Sequence, residues 1–173
     1  MTKQKTNKTI LCLFPNTFGV CYAVLDTPND LIDYGIGYVR PVNNKKSILK
    51  VKKYLDFFKP EIVLLRELTN PNSKINKRNK KLINLICDEA HLQRLKIHQF
   101  NRTQIKDALS NFKVSTKHQI SKKIIEWFPV LEELEYPYRK EWMAENHNVG
   151  VFDAISLAAV YYYLNGIEYG YSS

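Results

Sequence analysis

The side chains of this chain most evidently equipped for chemistry are its cations. Lys77, Arg78 and Lys80 fall in NPNSKINKRNKK, residues 70–81, the strongest basic and low-complexity patch. Lysine or arginine beside a phosphate releases condensed counterions, so such a patch suits a polyanion. The whole chain agrees, with 26 Lys plus Arg against 17 Asp plus Glu and a net charge of +9. Nucleic acid is the default partner for that charge, although the richness in Lys, Asn, Ile and Tyr also matches AT-rich coding. Asp153 is the one charged residue of VFDAISLAAVYYYL, residues 151–164. An aspartate near a helix N-terminus commonly serves as a cap or is favoured by the dipole. Tyr161, Tyr162 and Tyr163 offer rings for stacking on bases, but three in succession point around a helix, which assigns most of them to core or interface. Cys12, Cys21 and Cys87 lack metal-ligand spacing, and their odd number argues against a disulfide framework, so they read as reduced and buried.

The elements that must position these groups follow from hydrophobic period and turn residues. Residues 9–14 and 18–25 read as two strands joined by a tight turn at Pro15 and Asn16. After the turn cluster 26–30, the alternation of Ile32, Tyr34, Ile36 and Tyr38 predicts a third, half-exposed strand over 31–40. Ser47 is the expected cap of a helix that buries Ile48, Val51, Leu55 and Phe58 and ends near Pro60. EIVLLRE, 61–67, is apolar enough for a central strand covered on both faces. A second helix follows through Leu82, Ile86 and Ala90, then a strand over 95–100. Two short helices are expected over 103–109 and 115–128, the second capped by Ser115 and burying Ile120, Ile124 and Phe128. Pro129 and Pro137 bracket an acidic stretch with no assignable structure, and 151–164, apolar all round, predicts a buried helix.

At 173 residues the chain is the size of one domain, 1–173, with a core over about 9–164. Its 45% hydrophobic content argues against disorder, and no 18-residue apolar run could span a membrane. The basic start followed by ILCLF begins like a leader, but Pro15 and Asn16 cut the apolar run and no small-residue cleavage site follows, so the expected location is the cytoplasm. The alternation of strands and helices indicates α/β with one mixed sheet, an antiparallel meander followed by right-handed crossovers.

This order resembles the ribonuclease H-like fold, and the local matches resemble RuvC-type Holliday junction endonucleases. That family opens with a strand ending in Asp-Pro-Gly and resumes with Gly-Tyr-Gly-Val or similar. Phe14, Pro15 and Asn16 fall at the first positions, and Tyr22, Ala23 and Val24 match the second strand without a gap. A second family acid follows a proline by six residues on the central strand. From Pro60 that position is Arg66, with Glu67 next to it. FNRTQIKDALSNFKVSTKHQISKKII is similar to the family segment in which a lysine on one short helix and a Lys-x-Gln on the next contact DNA. Lys106, Lys117 and Gln119 take those positions with one residue deleted between them, and Lys113 lies among them. The last signature, Asp-x-x-Asp-Ala-Leu-Ala, is met by Asp153 and Ala154, with Ala158 two positions beyond its final Ala and Gly150 where the first Asp is expected.

The resemblance implies a ribonuclease H-like, five-stranded mixed sheet, a three-strand antiparallel meander plus parallel strands, flanked by helices. It also implies DNA as the partner, a homodimer, and Mg²⁺ or Mn²⁺ as cofactor in an active endodeoxyribonuclease. Two-metal hydrolysis needs several carboxylates around cations about 3.5–4 Å apart. Hard Mg²⁺ takes oxygen ligands, and the family's first-strand Asp bridges both ions; phenylalanine cannot. With Phe14, Arg66 and Gly150 at three of four acidic positions, only Asp153 is matched directly. Glu67 replaces the acid missing at 66 only if a bulge re-aims it, because successive strand residues face opposite ways. Asp153 and Glu67 are therefore the candidate catalytic and metal-binding residues of an active enzyme, supplemented by Asp26, Asp33 or His147, of which Asp26 lies near the far end of its strand. Lys106, Lys117, Gln119, Lys113, Lys77, Arg78 and Lys80 are the candidate nucleic-acid contacts. The expectation is a nucleic-acid-binding protein that has lost its nuclease centre and needs no cofactor. The rivals are an active junction endonuclease with rearranged acids and an interaction module that keeps only the fold.

Overall fold

The structure, a computed structural model, describes residues 8–68, 74–140 and 142–167, with the backbone only for 74–76. Three strands come first, β1 (Ile10–Asn16), β2 (Gly19–Thr27) and β3 (Asp30–Tyr38), then α1 (Asn44–Phe58), β4 (Ile62–Arg66), α2 (Lys74–Leu92) and β5 (Lys96–Phe100). The chain continues through α3 (Arg102–Leu109), α4 (Lys117–Trp127) and α5 (Val149–Leu164), with 3-10 turns at Ser110–Phe112 and Pro129–Leu134. The strands form one mixed sheet in the order β3-β2-β1-β4-β5, with the first three antiparallel and β4 and β5 parallel to β1. This is the five-stranded arrangement expected from the sequence.

Alternation along the strands divides the interior into two layers. Leu11, Leu13, Val63 and Leu65 meet Val51 and Leu55 of α1 and Leu82, Ile83 and Ile86 of α2. Cys12, Phe14, Cys21, Ile62 and Leu64 meet α3, α4 and α5 on the other face. β1 and β4 are buried on both faces, which is why their sequences are nearly continuous in apolar residues. β3 is an edge strand and keeps Ile32 and Tyr38 exposed.

Polar residues set the element boundaries. Gly19, at φ 140°, follows the β1–β2 turn in which Asn16 Oδ1 accepts from the Phe18 N–H at 2.9 Å. A Cβ there would collide with the Gly37 carbonyl. The cap of α1 is Asn43, whose side chain accepts from the Lys46 N–H, and not Ser47, which is buried inside the first turn and donates to the Asn43 carbonyl. α3 and α4 each start with a capping box, Asn101 with Gln104 and Thr116 with Gln119. The cap of α4 is thus Thr116, one residue beyond the expected Ser115. The acidic stretch left unassigned by period falls largely within the 3-10 turn led by Pro129. Cys12 and Cys21 are buried and Cys87 is half-buried, all three with free thiols. No helix among the described residues is long and apolar enough to cross a membrane.

Candidate functional site

β1 and β4 run parallel with Leu13 beside Leu65, so the next residues along, Phe14 within β1 and Arg66 at the end of β4, lie side by side. The Arg66 guanidinium carbon lies 4.2 Å over the Phe14 ring, and Nη1 donates to the Pro15 carbonyl at 2.9 Å. Its Nε is buried without a hydrogen-bond partner. Burial pulls the Arg66 pKa below its ordinary value, opposed by the negative charges of Asp153 and Glu145.

α5 brings the carboxylate. Asp153 is five residues into the helix and only 4% exposed, so it caps nothing. Lys117, the first residue of α4, places Nζ 3.4 Å from Asp153 Oδ2 and 3.3 Å from Glu145 Oε2. Burial raises the Asp153 pKa, with Glu145 adding to the rise, while Lys117, Arg102 and Arg66 act against it. Desolvation exceeds the attraction of three cations, as expected for a carboxylate enclosed by apolar helices. Tyr136 closes this side of the group by donating to the Lys117 carbonyl at 3.3 Å, and burial raises its pKa too.

These residues do not fit a two-cation centre. Among the described residues no three His, Cys, Asp or Glu side chains converge as metal ligands. The two carboxylates that do converge already hold an ammonium, and a buried guanidinium stands beside them. Gly150 packs so tightly that a Cβ would come within 3.0 Å of Cys21 Sγ and the Asn16 side-chain nitrogen, so an acid fits there only if those two side chains are displaced.

No protein-family profile and no curated protein matches the sequence. Solved structures do match. Thermus thermophilus RuvC superposes with a TM-score of 0.65 at 14% identity, covering 91% of this chain and 95% of that one. T. thermophilus RuvC in complex with a Holliday junction substrate gives 0.63 at 13% identity, again over 91% and 95%. The yeast mitochondrial Holliday junction resolvase Ydc2 gives 0.62 at 10% identity, over 92% of this chain and 80% of that one. The fold is RuvC-like. At such identities the likeness is one of fold, and the chemistry has to be read from this chain's own residues.

Within this RuvC-like fold the sequence candidates scatter. Glu67 is exposed and lies one step beyond β4, its N–H donating to the Phe100 carbonyl at 2.8 Å. No register shift interrupts β4 on either side, so the bulge needed to turn Glu67 toward Asp153 is missing among the described residues. Asp26 accepts from Thr9 Oγ1 at the opposite end of the sheet, and Asp33 accepts from Tyr22 and Tyr34 on β3, so neither joins Asp153. His147 is exposed, its ring 6.5 Å from Phe18. Lys106 and Lys113 are exposed, whereas Lys117 is turned inward and Gln119 spends its side-chain oxygen on the N–H groups of Ser115 and Thr116. Lys77 and Lys80 are exposed near the start of α2, while Arg78 is partly buried with Nη2 unpartnered. Residues 70–73 of the basic stretch lie outside the described residues. Tyr162 is buried and Tyr163 half exposed, in keeping with a mostly packed tyrosine run.

Glu145 and Arg102 are the participants that the sequence did not single out. Glu145 sits eight positions before Asp153 in a stretch with no period, and only the packing of α4 on α5 brings it to Lys117. Arg102 opens α3, donates to the Ser115 carbonyl at 3.3 Å and bears on Asp153 electrostatically. A basic residue directly after an N-cap, where it opposes the helix dipole, was the available signal. α2 and α3 follow the ends of β4 and β5, the Asn44 side chain donates to the Arg78 carbonyl, and Lys117 meets Asp153. The starts of α1, α2 and α3 therefore lie at the end of the sheet where β3, β4 and β5 finish, with their partial positive charges.

Proposed function

We propose that this protein binds nucleic acid, branched or duplex DNA, and that its metal-dependent nuclease centre has been lost. The observation that carries this reading is the pair of side-chain cations at the ends of the central strands: Arg66 on Phe14, and Lys117 on Asp153 and Glu145. An ammonium shared by two carboxylates offsets half of the formal charge that would draw a divalent ion, and the Arg66 guanidinium beside them offsets the rest. The exposed contacts of this reading are Lys77, Lys80, Lys106 and Lys113, with Arg78, Lys117 and Gln119 contributing through atoms that their internal bonds leave over. The helix starts at that end of the sheet favour anionic phosphates.

A gel-shift assay on four-way junction, duplex and single-stranded DNA, with and without Mn²⁺, tests both halves. The expected result is binding whose log affinity falls against log salt with a slope of roughly −4, as for about four neutralised phosphates, and no product with Mn²⁺. Absence of binding to every form, or binding indifferent to salt, overturns it. A second reading, an active junction endonuclease with rearranged acids, draws on the convergence of Asp153 and Glu145 on one point. Mn²⁺-dependent junction cleavage that disappears in Asp153→Asn would establish it in place of the first.

A further inference from the structure

The protein has a cavity of about 230 Å³ next to Lys117 that the electrostatic reading leaves unused. Aromatic rings form much of its wall. His118 stands edge-on to Tyr136, with centroids 5.7 Å apart, and to Tyr138 at 5.6 Å and 86°. Tyr136 is buried, and Tyr138, at the mouth, is 69% exposed. Lys117, Glu145 and Asn146 supply polar groups to the same lining. The volume is below the roughly 300–1,000 Å³ usual for drug-sized ligands, so it suits a one- or two-ring group and not a whole nucleotide.

Charge narrows the ligand further. Lys117 is paired with Glu145 and Asp153, so the interior offers no uncompensated cation for a phosphate. Positive charge lies at the rim instead. Arg139, exposed, belongs to the lining and donates to the Met143 carbonyl, and its chain neighbour Lys140, outside the lining, has Nζ 5.9 Å over the exposed Trp142 ring. A neutral, planar heterocycle with hydrogen-bonding edges matches the inside, and a phosphodiester matches the rim.

We propose that this cavity is a nucleobase pocket that takes an unpaired or extruded base of the bound nucleic acid, with Tyr138 as its stacking platform and Arg139 and Lys140 holding the flanking backbone. The proposal rests on the nucleic-acid-binding reading and adds a preference for strands that can offer a free base. It ties that preference to the segment before α5, and not to the lysines of α2 and α3.

The test uses the full chain and two DNA duplexes that differ only by a single bulged 2-aminopurine, with free adenosine and cytidine as separate titrations. The expected result is about tenfold tighter binding of the bulged duplex, with 2-aminopurine fluorescence quenched by stacking. Tyr138→Ala, at an exposed site, should abolish most of that preference and the quenching, while affinity for the paired duplex changes by no more than about twofold. A bulge preference and quenching that survive Tyr138→Ala, or a loss equal on both duplexes, overturn the pocket and leave the binding reading intact. Paired-duplex binding with no bulge preference does the same. Saturable binding of a free nucleoside that the bulged duplex cannot displace assigns the cavity to a small ligand and overturns a nucleic-acid source. Failure of every DNA form to bind overturns both proposals.

Discussion

One acid marks each end of the sheet, and the two are built in opposite ways. Asp26, where β1 begins and β2 ends, is partly exposed and accepts a 2.8 Å hydrogen bond from Thr9 Oγ1. Asp153, beside the end of β1, is buried, faces an ammonium, and has its pKa raised by desolvation. The first is a local hydrogen bond between neighbouring strands that water could replace. The second is a carboxylate enclosed by packing, where desolvation raises the pKa and Lys117, Arg102 and Arg66 oppose the rise. The unusual chemistry of this chain therefore belongs to one end of its sheet.

The largest expected effect lies at the enclosed end. Gly150→Ala forces a Cβ into Cys21 and Asn16, and should destabilise the protein by about 3 kcal/mol, lowering Tm by roughly 6–12 °C in a thermal melt. A change under about 2 °C would mean that this end is loosely packed and that the comparison fails. Lys117→Ala comes next. It strips Asp153 of its nearest cation and should cost about 1–3 kcal/mol, less than a wholly buried pair because Lys117 is 39% exposed.

Asp153→Asn should act in the other direction. The folded-state pKa of Asp153 lies above the ordinary 3.8, so the native state holds the proton more tightly than the unfolded chain, and stability falls as pH rises from 3.8 through the folded value. The asparagine variant escapes that loss. Its Tm should exceed that of the parent by a few degrees at pH 8, with the advantage shrinking as pH falls toward 3.8. A variant less stable than the parent at pH 8 would show that attraction to Lys117 outweighs desolvation. The smallest effect belongs to the other end, where Asp26→Asn should change stability by less than about 1 kcal/mol in urea titration. A larger loss would make the two ends alike.

The sequence carried much of this because period and turn chemistry are local. A continuous apolar run marked β4 as doubly covered, and the all-round apolar stretch marked α5 as buried, since burial selects residue type directly. Capping was legible to within a few residues: Asn43 and Thr116 took the roles given to Ser47 and Ser115, because polar residues on either side of a helix start compete for the same N–H groups. The candidate site was legible in part. Asp153 stood out as a lone charge in an apolar helix, and Arg66 through the family resemblance, as the residue at an expected acidic position.

By itself, the sequence determined the order of strands and helices and the excess of positive charge, properties of short windows or sums. The tertiary structure alone decided that Lys117 turns inward to Asp153, 36 positions away, and to Glu145, 28 positions away, and that Arg66 lies on Phe14. Such pairings depend on the angle at which α4 meets α5 and on which strand ends lie together. No local pattern encodes them, because the partners become neighbours only once the apolar layers have packed.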